Sequence, residues 1–109
     1  MLDFLDISKY LDNSKYFLNN RMNITERINV IIQEEGANRP FLEKQTGIKA
    51  KRWTNVQSGQ AKAYAEEIEA IAKLWPEYAY WLATGKELPE AGQISPLTKR
   101  AHKNYKTAD

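Results

Sequence analysis

Apolar residues recur at three- and four-residue spacing in several separate stretches of the chain, which is the pattern of amphipathic helices. The clearest stretch follows Asn23, with Glu26 three residues later as in a capping box, and it ends at Gly36, a residue suited to a left-handed stop. Its apolar positions are Ile24, Ile28, Ile31 and Ile32. The spacing predicts a helix over residues 24–35.

Two short helices with a tight turn between them are predicted next. Asn38 is suited to cap the first, and Pro40 suits its opening turn, where no N–H is needed. This helix ends before Gly47, and the second occupies residues 49–58 before Gly59. Two short helices joined by a turn that contains glycine indicate a helix-turn-helix unit.

Two further helices complete the regular pattern. One runs from Ala65 to Trp75, and a compact aromatic one follows around residues 78–82. The charged residues of the longer helix, Glu66, Glu67, Glu69 and Lys73, are expected largely on its solvent face. The two acids before Gly36, Glu34 and Glu35, are also expected on an exposed helix face. Because the chain shows no strand-like alternation of useful length, the predicted fold class is all-α.

Three regions are expected along the chain. Residues 1–22 form an N-terminal helical extension, which is either a dimer or partner-binding addition or a stabilising wrap around the domain. Residues 23–86 form a five-helix domain with the helix-turn-helix unit. Residues 87–109, rich in breaks and then in bases, form a flexible C-terminal tail with at most one helical turn.

The composition narrows the class of protein. The chain has no cysteine, and its single histidine, His102, stands apart from any acid cluster, so we expect no metal and no other cofactor. It also lacks a glycine-rich phosphate loop and a nucleophile motif, so we do not expect an enzyme. Its apolar runs are short and its first residues are acidic, which favours a cytoplasmic protein without a membrane partner.

Basic residues are concentrated in one segment, although the whole chain carries a net charge of only +2. Residues 37–63 hold six bases against one acid, Glu43, for a net charge of +5. The segments on either side, 23–36 and 64–90, sum to −2 and −4. This distribution favours a nucleic-acid partner, with a solvated lysine face as the alternative.

A helix-turn-helix unit also needs particular residue types at its core positions, and the chain supplies them. Leu42 is placed to face the core, Gly47 tolerates a positive φ in the turn, and Ile48 fills the corner after it. Trp53 and Val56 are spaced for burial on one face of the second helix. The charge pattern and the core pattern therefore indicate the same unit.

Residues 42–59, LEKQTGIKAKRWTNVQSG, resemble the lambda-repressor-like (Cro/CI, XRE) helix-turn-helix family. The resemblance extends from Glu26 to Leu82, and residues 76–85, with residues 90–96 after them, are similar to the end of small regulators of phages and prophages. It implies a lambda-repressor-like five-helix DNA-binding domain and a mobile-element origin.

The resemblance also implies two sets of DNA-contacting residues. Base reading falls on Ala50, Lys51, Arg52 and Asn55. Phosphate contact falls on Arg39, Lys49, Gln60 and Lys62. Chemically, an alanine methyl suits the methyl of thymine, a lysine suits guanine O6 and N7, and an asparagine pairs with adenine.

Two positions depart from the family pattern. Glu43 stands where alanine is usual, so we expect its carboxylate to turn outward along its stem. Lys49 stands where serine or threonine usually caps the recognition helix, a loss of about 1 kcal/mol of capping.

Aromatic residues are numerous for a domain of this size. Trp53 and Trp75 are expected in the core, whereas Tyr78, Tyr80 and Trp81 belong either to the core or to an exposed interaction patch.

These observations predict a sequence-specific DNA-binding transcriptional regulator, a phage or prophage repressor. It would bind double-stranded DNA as a homodimer, with residues 49–58 in the major groove of two half-sites about 34 Å apart. The alternative is a helix-turn-helix module that binds a host or phage protein, such as an antitoxin, an anti-activator or an inhibitor of a host defence complex.

Overall fold

The computed structural model describes residues 22–108, with side chains as far as residue 103, and the regular elements of this part are helical. Its α-helices are α1 (Ile24–Glu35), α2 (Arg39–Thr46), α3 (Ala50–Ser58), α4 (Ala65–Leu74), α5 (Ala79–Thr84) and α6 (Pro96–Ala108). Short 3-10 turns, Pro76–Tyr78 and Pro89–Ala91, precede α5 and α6. The all-α prediction is confirmed for these residues, whereas the predicted helical extension falls, apart from Met22, outside them.

Side-chain caps begin the first two helices, as their sequences predict. The Asn23 side chain accepts the Glu26 N–H at 2.8 Å, and the Glu26 carboxylate accepts the Asn23 N–H at 2.9 Å, which completes the capping box. Asn38 accepts the Phe41 N–H at 2.8 Å and begins α2. At the end of α2, Gly47 has a φ of 78°, a left-handed conformation that other residues adopt only at a cost.

The core lies between α1, the α2–α3 pair and the helices that follow. Leu42, Trp53 and Val56, the residues predicted to face inward from α2 and α3, are fully buried. Ile48, in the turn between the two helices, is half-buried and packs against the hydrophobic core. Because burying one large apolar side chain contributes about 1.5–3 kcal/mol, these residues fix α3 firmly on the domain.

Most of the aromatic residues after α4 also belong to the core. Tyr78 and Trp81 are fully buried, and Trp75 packs half-buried against the cluster. Tyr80 alone of the three alternative patch residues is exposed, at 37%. An exposed patch made of Tyr78, Tyr80 and Trp81 is therefore excluded.

The C-terminal region differs from the prediction of a flexible tail, because residues 96–108 form α6. Ser95 is fully buried and its hydroxyl accepts the Thr98 N–H at 3.3 Å. Pro96, also buried, stands in the first turn, where proline is favoured. A side-chain cap and a proline in the first turn thus start this helix, although the helix-breaking residues just before it favour an irregular segment when the sequence is considered alone.

Ion pairs then hold α6 against α1. Lys99 donates to Glu35 at 2.7 Å and to Glu77 at 2.9 Å, while Arg100 pairs with Glu34 at 2.7 Å. The expectation that Glu34 and Glu35 lie on an exposed face is wrong, since their side chains are only 9% and 14% exposed. Two bases of the predicted tail, Lys99 and Arg100, are therefore the partners of these acids.

Glu35 also accepts a hydrogen bond from the hydroxyl of Tyr78 at 2.6 Å. Burial acts to raise the pKa of Glu35, but the hydrogen bonds from Lys99 and Tyr78 outweigh it and hold this pKa below its ordinary value. The carboxylate therefore stays ionised at neutral pH and keeps its partners on α6.

Among residues 22–108, no helix combines the length and the apolar character needed to cross a bilayer.

Candidate nucleic-acid interface

The predicted site residues lie on α2, on α3 and on the loop that follows α3. The inward face of α3 carries Trp53 and Val56, which are fully buried. On the rest of its surface Lys51 is exposed and Asn55 is half-buried, and Lys49, the N-cap residue before α3, is exposed. Within the described part of the chain these three side chains have no hydrogen-bond or ion-pair partner, so their polar groups are available to a molecule outside the domain.

The first turn of α3 is capped from the neighbouring helix. Lys49, the N-cap residue, provides no side-chain hydrogen bond. The Glu43 carboxylate, on α2, instead accepts the N–H of Ala50 at 2.6 Å. It supplies an acceptor and also a negative charge at the positive end of the α3 dipole.

The hydrogen bond between Glu43 and Ala50 shows that two of the expectations from the sequence are wrong. The Glu43 carboxylate does not turn outward, and α3 does not lack a side-chain acceptor at its start. The reason is the tight turn, which brings the last turn of α2 beside the first residue of α3, seven positions later in sequence. The two departures from the family pattern, Glu43 and Lys49, therefore compensate each other.

Arg39 occupies the first position of α2 and is half-buried. Its Nε donates to Oε1 of Gln57 at 3.0 Å, and Gln57 is a buried residue near the end of α3. The Gln57 carbonyl in turn accepts from the side chain of Asn29, on α1, at 3.4 Å. This predicted phosphate contact is therefore fixed to the end of the predicted recognition helix.

The other predicted phosphate contacts, Gln60 and Lys62, are exposed on the loop between α3 and α4. The loop is anchored on both sides. The Ala61 N–H donates to the Asn55 carbonyl at 3.1 Å, and the Ala63 N–H donates to the hydroxyl of Thr25, on α1, at 3.1 Å. Residues 60–62 therefore have a defined path close to the end of α3.

Arg52 differs from the other residues predicted to read bases, because its guanidinium group is engaged inside the protein. Its Nη2 donates to the Lys62 carbonyl at 2.7 Å and to Glu67 Oε1 at 3.0 Å. The guanidinium also lies over the ring of Tyr64, 4.3 Å from the centroid, which is a cation–π contact. Arg52 therefore joins α3, the loop and α4.

Glu67 is the partner that the helical pattern misplaces. Its side chain is only 3% exposed, so the prediction that it shares the solvent face of Glu66 and Glu69 is wrong. Its carboxylate accepts from Arg52 and also from the Tyr64 N–H, the latter at 2.7 Å. A sequence signal does identify it. Glu67 follows Tyr64, the residue just before α4, by three positions, and a glutamate at that spacing can accept a hydrogen bond from the backbone N–H at the start of the helix.

The pKa of Glu67 reflects this network. Burial acts to raise it, but the hydrogen bonds from Arg52 and from the Tyr64 backbone outweigh that effect and hold it below its ordinary value. The pKa of Arg52 is raised chiefly by the hydrogen bond to Glu67. Both groups are charged at neutral pH, so the ion pair is intact under ordinary conditions.

The chain is similar to the solved structure of Pf6r from the filamentous phage Pf6 of Pseudomonas aeruginosa, with 33% sequence identity and a TM-score of 0.62. The match covers 69% of this chain and 96% of Pf6r. The chain belongs to the Pf6r family.

Membership of the Pf6r family rests on this shared structure and sequence. No protein-family model matches the chain. No curated protein matches it at a significant level.

Proposed function

We propose that the protein is a sequence-specific DNA-binding regulator of the lambda-repressor-like helix-turn-helix type, which places α3 in the major groove. The observation that carries the proposal is the division of α3 into two faces. Trp53 and Val56 anchor it in the core, while Lys51 and Asn55 offer unengaged polar groups. A rigid helix with free donors is what direct reading of base edges requires.

The charge distribution supports the same partner. The segment that forms α2, α3 and the following loop has a net charge of +5, between segments of −2 and −4. Exposed bases and amides on both sides of α3 suit phosphate oxygens, which fix the register of a protein on DNA without reading its sequence. In the proposal Ala50, Lys51 and Asn55 read bases, and Lys49, Gln60 and Lys62 contact phosphates.

The length of α3 supports a homodimer. Its nine residues span about 14 Å at 1.5 Å per residue, which corresponds to about four base pairs. So short a contact gives little selectivity in a genome. Two copies on half-sites about 34 Å apart would double the sequence read.

The family supports a phage setting. Pf6r comes from a filamentous phage, and we infer that this chain acts as a phage or prophage regulator. Repression is the simplest outcome, since a dimer seated in the major groove of a promoter blocks access to it.

The test is selection of bound duplexes from a random DNA library, followed by affinity measurements on the selected duplex and a scrambled one. In this assay Lys51→Ala is expected to lose about 1–3 kcal/mol of discrimination between the two duplexes. Lys86→Ala, an exposed lysine after α5, removes the same charge and serves as the control. Failure to enrich any sequence, together with no binding at low salt, contradicts the proposal.

A second candidate is a module that binds a host or phage protein. It is favoured by large apolar side chains that remain exposed apart from Tyr64, which lies against Arg52; these are Phe41 at 41%, Tyr80 at 37% and Leu88 at 37%. These residues lie outside α3. Substituting them would leave DNA binding unchanged under the first proposal and would abolish partner binding under the second.

A further inference from the structure

Arg52 is the one residue of α3 whose role the geometry changes. The family resemblance places it among the base readers, but its Nη2 already donates to the Lys62 carbonyl and to Glu67. Its side chain is only 23% exposed. A guanidinium held by a carbonyl, a carboxylate and an aromatic ring would have to break these contacts before it met a base.

The contacts of Arg52 converge on the loop that carries Gln60 and Lys62. The Lys62 carbonyl is bound directly, and the ring of Tyr64 lies against the guanidinium. A single oxygen of Glu67, Oε1, accepts hydrogen bonds from both the Tyr64 N–H and Arg52. The Arg52–Glu67 pair therefore holds the exit of the loop, together with the hydrogen bond from Ala63 to Thr25.

Building on the proposed DNA-binding function, we propose that Arg52 and Glu67 act together as positioning residues, which fix the loop so that Gln60 and Lys62 meet the DNA backbone while α3 reads the bases. Neither residue itself contacts a base. A loop held in advance presents its charge without the entropy cost of ordering it on binding.

For one substitution, this role and simple electrostatics predict opposite changes in DNA affinity. Glu67→Gln removes a negative charge from a protein that binds a polyanion, so simple electrostatics predicts tighter binding. The positioning role predicts weaker binding, because an amide holds Arg52 less firmly than a carboxylate does. Glu66→Gln is the matched control, since Glu66 is the exposed neighbour of Glu67 in the first turn of α4.

The experiment measures binding of the selected duplex and a scrambled duplex by fluorescence anisotropy across a salt series. The variants are Arg52→Gln, Glu67→Gln, their combination and Glu66→Gln, each checked for folding by circular dichroism. We expect Glu67→Gln and Arg52→Gln to weaken binding to both duplexes by similar factors and to make the salt slope shallower by about 1, as for one lost phosphate contact. The combination is expected to resemble either single variant, and Glu66→Gln is expected to bind as tightly as the wild type or more tightly.

Hydrogen exchange adds a readout that needs no DNA. Arg52→Gln and Glu67→Gln are expected to speed exchange at the amides of Ala61 and Ala63, which anchor the loop, and to leave the α1 amides unchanged. If one variant fails to fold, the other still decides the matter.

Two results overturn the inference while leaving the proposed function intact. One is Glu67→Gln binding DNA as Glu66→Gln does. The other is Arg52→Gln losing discrimination by about 5- to 150-fold, as a base reader would. A wild-type protein that binds no duplex at low salt overturns the proposed function itself, which is a different result.

Discussion

Removing the Glu43 carboxylate tests the cap that starts α3. In the Glu43→Ala variant the Ala50 N–H loses its acceptor at 2.6 Å, and the start of the helix loses a negative charge. A side-chain cap is worth about 1 kcal/mol, and a charge at the helix end about 0.3–1 kcal/mol more. The better helix propensity of alanine returns about a few tenths of a kcal/mol.

We therefore expect Glu43→Ala to lower the free energy of unfolding by about 1–1.5 kcal/mol. Glu43→Gln keeps an acceptor oxygen but not the charge, so it should lose only about 0.5 kcal/mol. The assay is urea unfolding followed by circular dichroism and extrapolated linearly to zero denaturant. Gln45→Ala, an exposed position on the same helix, is the control and should stay within about 0.5 kcal/mol of the wild type. Equal stability of Glu43→Ala and Gln45→Ala would refute the cap.

Two further predictions concern α6 and the turn. Lys99→Met removes the ion pairs to Glu35 and Glu77, and should lower the free energy of unfolding by about 1 kcal/mol at neutral pH. Because the folded-state pKa of Glu35 is depressed, this stabilisation is fully present above the ordinary glutamate pKa of about 4.3 and is lost as the pH falls through the lowered value. Unfolding curves across that range test it, and a difference from the wild type that does not shrink in acid would contradict it. Gly47→Ala should cost about 1–2 kcal/mol through its φ of 78° alone, since a Cβ there meets no atom within 4 Å. Gly47→Asn should cost less because asparagine tolerates this conformation, so equal melting temperatures for the two variants would count against backbone strain.

The parts of the fold predictable from the sequence are those determined within a few residues. Asn23 and Asn38 cap the helices that follow them, because a cap is a contact over three positions. Gly47 ends α2 because its backbone conformation needs no partner elsewhere. The burial of Leu42 and Trp53 follows from helical periodicity in the same way.

The features that escaped prediction depend on residues far apart in the chain. Glu67 follows its partner Arg52 by 15 positions, and Lys99 follows Glu35 by 64. A helical pattern marks a charged residue as outside the apolar stripe, but it does not indicate which neighbouring element covers that residue. For this reason the pattern places Glu67 on the solvent face and Lys99 and Arg100 in a flexible tail, although each of the three stabilises a contact between elements.

The candidate site likewise combines residues set by the local helical pattern with residues set by contacts to other elements. Lys51 and Asn55 are exposed or half-exposed at the positions that the family resemblance implies, since a two-faced helix leaves its polar side free. The engagement of Arg52 depends on Tyr64 and Glu67, which belong to the following segment and which the pattern of α3 does not contain.

The most direct test of α3 as the DNA-reading helix is an NMR titration of the isotope-labelled protein with the selected duplex. If α3 enters the major groove, the largest amide shift changes will fall on residues 49–52, on Asn55 and on the loop at residues 60–62. The amides around Tyr80 and Leu88 will change little. Changes centred on Tyr80 and Leu88, or none at all at low salt, would show that α3 does not enter the major groove.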